Sequence, residues 1–106
     1  MAESYCVMLT TAGSQEEANR LAELLVSRRL AACVQISAIT SWYAWQGKVN
    51  HEPEYLLLVK TTADLYPAVE AALLANHSYA IPEIIQLPIS RGLDRYLGWI
   101  EENTQS

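Results

Sequence analysis

Four extended runs and two helical ones in the order βαββαβ, with a third helical stripe behind them, predict an α+β sandwich of the ferredoxin-like type with an extra C-terminal helix. Two further observations carry that reading. The first and third extended runs hold the most continuous apolar stretches, YCVML and YLLLV, and in this topology those two strands are central. Leu30 to Lys60 reads as a long hairpin broken at Gln46-Gly47. Its first arm counts about fifteen residues to the break, where strands commonly run about five or six.

The elements follow in order. Ser4–Thr11 (SYCVMLTT) is a continuous apolar run of the kind a central strand shows. Ser14 and Glu17 form a capping box that opens the first helix, each satisfying an orphan N–H. Ala18, Leu21, Ala22 and Leu25 line one face at helical spacing, and Arg28 and Arg29 fall in the last turn, where positive charge suits the dipole. After the hairpin, a second helix runs from Asp64 to Asn76, with Pro67 tolerated in its first turn. The fourth strand, Ala80–Ile89, carries Pro82 and Pro88 at an even spacing, so both remove N–H groups from the same side and place the strand at an edge. The last helix, Gly92 to Glu102, presents Leu93, Tyr96, Leu97 and Ile100 as an i, i+3, i+4, i+7 stripe.

At 106 residues the chain is one domain, 1–106, with no room for a second core. Hydrophobic residues make up 51% and charged ones 18%. That is more apolar content than so small a monomer can bury, so self-association is expected. The net charge is −5 and no basic cluster exceeds Arg28-Arg29, which argues against a nucleic-acid partner. MAESYCVMLTT lacks the charged and apolar regions of a signal peptide, and no apolar run approaches the roughly 20 residues of a membrane span. Cys6 and Cys33 have no CxxC spacing and read as reduced thiols of a cytosolic core.

A two-residue turn at Gln46-Gly47 fixes the hairpin register, with Val34 opposite Val59 and Cys33 opposite Lys60. One face then presents Val34, Ile36, Ala38, Tyr55, Leu57 and Val59 to the helices. The other presents Cys33, Gln35, Ser37, Leu56, Leu58 and Lys60, half of it apolar, with no helix of the sandwich to cover it. A bulge near Pro53 would exchange the faces. The tip carries Trp42, Tyr43 and Trp45 without neighbouring basic residues, the composition of an interface anchor rather than a base-stacking platform.

His77-Ser78-Tyr79-Ala80-Ile81-Pro82-Glu83 concentrates an imidazole, a phenol and a carboxylate. It reads as a metal or small-ligand site with His77 and Glu83 as ligands, or as a helix-end histidine beside a solvated carboxylate. Cys33 opposite Lys60 reads as a stabilised thiolate or an inert core thiol. His51-Glu52-Pro53-Glu54 reads as a metal site or a wet strand edge. There is no G-x-S-x-G, no phosphate-cradling glycine loop and no H-E-x-x-H, which argues against an enzyme.

Taken together, Leu30-Ala31-Ala32-Cys33-Val34, Ser41-Trp42-Tyr43-Ala44-Trp45-Gln46-Gly47-Lys48, Glu54 with Lys60-Thr61, His77 to Glu83, and Gly92 with Tyr96-Leu97 and Trp99-Ile100 resemble the CutA family of divalent-cation tolerance proteins, from about Val7 to Glu102. The resemblance implies a homotrimer of ferredoxin-like subunits, similar to the PII signalling proteins, in the bacterial cytoplasm. It implies a link to copper and other divalent metals, no obligatory cofactor and no established reaction; animal relatives are implicated in anchoring acetylcholinesterase. By motif, the inter-subunit cleft would draw on Cys33, Trp45, Glu54, Lys60, His77, Tyr79 and Glu83, with the metal on His77, Glu83 and Cys33; the aromatic tip and open face assign the trimer interface to Trp42, Tyr43, Leu56 and Leu58. Two positions depart from the family pattern: Ser78 stands where proline usually follows the histidine, and Trp42 where a smaller aliphatic is usual. The expected function is a non-enzymatic metal-binding trimer. The alternatives are a PII-like protein whose cleft binds a small anion or a partner protein through Lys60, and an enzyme using Glu83 and Tyr79.

Overall fold

The structure is a computed structural model that describes residues 4–105, so the first three residues of the stretch read for a signal peptide lie outside it. Its elements are β1 (Tyr5–Ala12), α1 (Gln15–Ser27), β2 (Cys33–Trp45), β3 (Lys48–Thr62), α2 (Tyr66–Asn76), β4 (Ile85–Ile89) and α3 (Asp94–Glu102). The strands form one antiparallel sheet in the order β2-β3-β1-β4, the ferredoxin-like arrangement. The two strands with continuous apolar runs do take its centre.

Gln46 and Gly47 both have positive φ, 51° and 76°. That is the type I′ geometry whose twist matches a two-residue hairpin. The ladder then runs without a slip from Trp45↔Lys48 to Val34↔Val59 and Cys33↔Lys60, passing Thr40↔Pro53 with no bulge. Val34, Ile36, Tyr55, Leu57 and Val59 accordingly face the core. Ala38 is exposed, because the hairpin outruns the helices that cover its base. Cys6 and Met8 of β1, Ala18, Leu21 and Leu25 of α1, and Val69 and Leu73 of α2 complete that core. Burial, and secondarily Asp64, pushes the Cys6 thiol up to about 11, which makes it an inert core thiol. Cys33 is a free, half-buried thiol on the opposite side of the sheet.

Four local expectations are corrected. α1 ends at Ser27, so Arg28 is its C-cap and Arg29 lies beyond it in left-handed backbone at φ 58°. The chain reverses there to bury Leu30, whose N–H reaches back to the Leu25 carbonyl at 2.9 Å. The segment Asp64 to Asn76 is not one helix: a 3-10 turn over Ala63–Leu65 precedes α2, with Pro67 in the first α-helical turn. β4 starts at Ile85 rather than Ala80. Pro82 cannot donate to a ladder and falls in the irregular stretch before it, while Pro88 does sit in the edge strand. In α3 only Ile100 of the predicted stripe is buried; Leu93 is the N-cap and Tyr96 remains exposed.

The second sheet face is open over most of its area. Alternation puts Val7 and Leu9 of β1, Leu56 and Leu58 of β3, and Ile85 and Leu87 of β4 on this side. Ile85 and Leu87 are each about half exposed, at 48% and 49%. α3 reaches only one end of the face. There the Tyr5 hydroxyl donates to Glu101 Oε1 at 2.9 Å and Lys60 Nζ donates to the Tyr96 hydroxyl at 3.2 Å.

Candidate functional site

A cleft of about 730 Å³ opens between the hairpin and the segment following α2. Alternation from Leu56 places Glu54 and Glu52 on the open face of the sheet, with Tyr43 and Trp45 across the ladder on the same side. Tyr79, Ala80 and Glu83 line the opposite wall. The lining holds three glutamates, Glu52, Glu54 and Glu83, and no lysine or arginine.

Tyr79 ties the two walls together. Its hydroxyl donates to Glu54 Oε2 at 2.7 Å. Burial, followed by that hydrogen bond and the charge of Glu54, pushes the phenol far above its ordinary range, so it stays protonated at neutral pH. Gly13 lies under the ring: a Cβ there would stand 3.2 Å from the Tyr79 oxygen, tighter than ordinary contact. A side chain at position 13 would therefore make the ring shift by a few tenths of an ångström.

His77 is the C-cap of α2, and its side chain is fully buried. The β1–β4 ladder stops at Leu9↔Ile85. Beyond it, His77 Nε2 lies 2.7 Å from the Thr11 carbonyl, while Nδ1 accepts the Tyr79 N–H at 3.1 Å. The acceptor role of Nδ1 assigns the Nε2–H tautomer, which donates to Thr11. Both ring nitrogens are thus committed to backbone groups.

Glu17, read from sequence only as half of a capping box, is the buried anchor of this segment. Ser14 Oγ accepts the Glu17 N–H at 3.1 Å as expected. The Glu17 carboxylate instead turns away from Ser14 and accepts the Ser78 N–H at 2.8 Å, the Ser78 hydroxyl at 2.9 Å and the Gly13 N–H at 3.4 Å. One sequence signal pointed to it: Glu17 shares the i, i+4 face of Leu21, the buried face of the helix.

Burial by itself raises the Glu17 carboxyl, but the hydrogen bonds from Ser78 and Gly13 outweigh it and hold the group below its usual range. A carboxyl depressed on folding adds stability above its unfolded value, about 4.3 for glutamate. That stability is lost as pH falls through the folded value. Glu17→Gln is expected to flatten the acid limb: between about pH 5 and pH 3 the parent's melting temperature falls more steeply than the variant's. Parallel acid limbs would remove Glu17 from the account.

The structure brings Trp45, Glu54, Tyr79 and Glu83 to one cleft, with Trp42 and Tyr43 at its rim. It leaves Lys60 and Cys33 out. They face each other on the ladder beside Val7, four residues along β1 from Thr11, or roughly 13 Å at strand rise. His77, Glu83 and Cys33 therefore do not form a ligand set within one copy, and among the described residues no three His, Cys, Asp or Glu side chains are grouped to hold a metal ion. His51 is exposed and stacks on Trp42, with ring centroids 4.3 Å apart.

Fold and cleft together define a small α+β protein of ferredoxin-like topology, with an acidic, aromatic-walled cleft beside a long hairpin. The chain belongs to the CutA1 divalent ion tolerance protein family, whose model matches residues 6–103. It is 48% identical to a divalent-cation tolerance protein CutA of Thermus thermophilus, over 92% of this chain and 96% of that protein. The human Protein CutA is 36% identical over 97% of this chain and 58% of its own length. Among solved structures, the periplasmic divalent cation tolerance protein CutA of Archaeoglobus fulgidus superposes with a TM-score of 0.93 at 40% identity, covering 95% of this chain and 99% of that one. CutA1 of Oryza sativa superposes with a TM-score of 0.95 at 40% identity, covering 99% and 97%. Among the described residues no helix is long and apolar enough to cross a membrane.

Proposed function

We propose that this protein is a non-enzymatic, cytoplasmic homotrimer with PII-like assembly that binds divalent cations, copper foremost, in clefts completed by neighbouring copies. The observation that carries the cation reading is the lining of the cleft, with three glutamates and no basic side chain. A wall of that sign attracts cations and repels small anions. Copper is favoured because Cu²⁺ stands highest in the divalent series for oxygen and nitrogen ligands. Glu54 and Glu83 are the carboxylate donors within one copy. The set is too small for a closed site, so further donors come from a second copy or from water.

Self-association is supported by the open apolar face and by Trp42 and Trp45, which are 68% and 55% exposed in a single chain. The number of copies, the PII-like arrangement and the cytoplasmic setting rest on the family resemblance. A non-enzymatic role fits a Tyr79 phenol that burial and Glu54 keep protonated, which leaves it no capacity as a base at neutral pH. No obligatory cofactor is part of this reading.

Titration calorimetry with Cu²⁺ tests it. Glu54→Gln is expected to weaken binding at least about tenfold. His77→Ala should act only indirectly, by loosening the wall that carries Tyr79. Equal affinity in parent and Glu54→Gln, or no binding by the parent, would sink the cation reading.

A further inference from the structure

We infer that Glu17 and Ser78 act as a positioning clasp that holds the Tyr79 hydroxyl on Glu54 and so sets the shape and cation affinity of the cleft. The inference rests on the cation reading above for its ligand and on the chain's own geometry for the clasp. Glu17 projects from the first turn of α1 and is 9% exposed. A carboxylate so deeply buried is stable only when its lone pairs are taken. Here Ser78 supplies two donors, its backbone N–H and its hydroxyl, and Gly13 supplies a third.

Ser78 lies between the two residues that matter for the cleft wall. On one side, the buried His77 ring bonds the Thr11 carbonyl and receives the Tyr79 N–H. On the other, Tyr79 lies over Gly13 and reaches Glu54 on β3. Fixing Ser78 against α1 therefore fixes the backbone on both sides of it. The His77 ring then has one orientation, and the Tyr79 hydroxyl falls within hydrogen-bond reach of Glu54. Without the clasp, this wall would be a loop between a helix end and the irregular residues before β4, left to the hydrogen bonds of His77 and Tyr79 themselves. Glu17 does not line the cleft, and Ser78 lines it with both of its donors committed to Glu17, so their effect runs through Tyr79 and Glu54.

Three variants test this: Ser78→Ala, which removes the hydroxyl and keeps the N–H; Glu17→Gln, which removes the charge; and Ser78→Thr, which keeps both donors. The first measurement is amide hydrogen exchange without metal. In Ser78→Ala and Glu17→Gln the Tyr79 amide is expected to lose protection at least about tenfold, while the amide of Leu57 in the central strand keeps its own. Ser78→Thr should restore the parent pattern. The second is calorimetry with Cu²⁺, in which the two disrupting variants should bind about tenfold more weakly and Ser78→Thr should match the parent. Unchanged Tyr79 exchange in both disrupting variants overturns the clasp. Lost Tyr79 protection with unchanged Cu²⁺ affinity overturns its link to the cleft. A parent that binds no Cu²⁺ sinks the cation reading and that link together, and the exchange result then decides the clasp alone.

Discussion

Leu57→Ala is expected to destabilise the protein by about 2–5 kcal/mol, the range for removing a fully buried leucine without collapse of the site. Leu57 has no exposed surface. It stands on β3 between Thr10 of β1 and Ile36 of β2, under both helices of the core layer. The central strands are pinned by ladders on both edges, so the backbone cannot close the void. Leu74→Ala on α2 is the contrast. That side chain is 56% exposed, and its loss should change stability by no more than about 0.5 kcal/mol. Denaturant unfolding of both variants at one fixed protein concentration measures the difference, because assembly would otherwise add a concentration-dependent contribution. A Leu57→Ala loss no larger than that of Leu74→Ala would mean the core sits elsewhere.

Trp42→Ala and Trp45→Ala are expected to weaken the assembled protein by about 2–4 kcal/mol each, the scale of an aromatic hot spot at an interface. In a single chain both side chains are mostly exposed, so their removal should cost an isolated subunit little. The two costs separate only if other copies bury the tip. Sedimentation over a dilution series therefore reads them directly: the variants should dissociate at higher concentration than the parent, with unchanged secondary structure. A parent that sediments as a monomer at micromolar concentration would overturn the assembly argument. Dissociation curves that coincide for parent and variants would place the interface away from the tip.

The hairpin register was legible because a turn of two residues leaves one pairing. Once Gln46-Gly47 is the turn, every partner from Trp45↔Lys48 to Cys33↔Lys60 follows by counting. The face assignment followed from the period of two. The central places of β1 and β3 followed from the βαββαβ order, and their continuous apolar runs agreed with it. Boundaries were less legible where a residue had two plausible roles. Arg28 and Arg29 suit a helix dipole, yet burial of Leu30 ends the helix before them. Pro82 suits an edge strand, yet it lies in the irregular stretch that leads to Ile85.

The candidate site divides along the same line. Tyr79 and Glu83 were legible as a phenol and a carboxylate concentrated in one short segment and Glu54 through the family motif, but spacing grouped His77 with Glu83 as ligands and the resemblance added Cys33. Spacing cannot show that both nitrogens of an imidazole are committed to Thr11 and Tyr79. Nor could it pair Glu17 with Ser78, which are 61 residues apart.

By itself the sequence determined the layer order, the register of the long hairpin and the apolar character of a sheet face that the two core helices leave open. These depend on periodicity and turn chemistry, which act between neighbours along the chain or across one turn. Only the tertiary structure decided that a buried carboxylate from α1 would hold the wall of the cleft and that Lys60 and Cys33 would stand apart from it. Those outcomes depend on which side chains meet once helices and sheet are packed, and local sequence does not encode such distances.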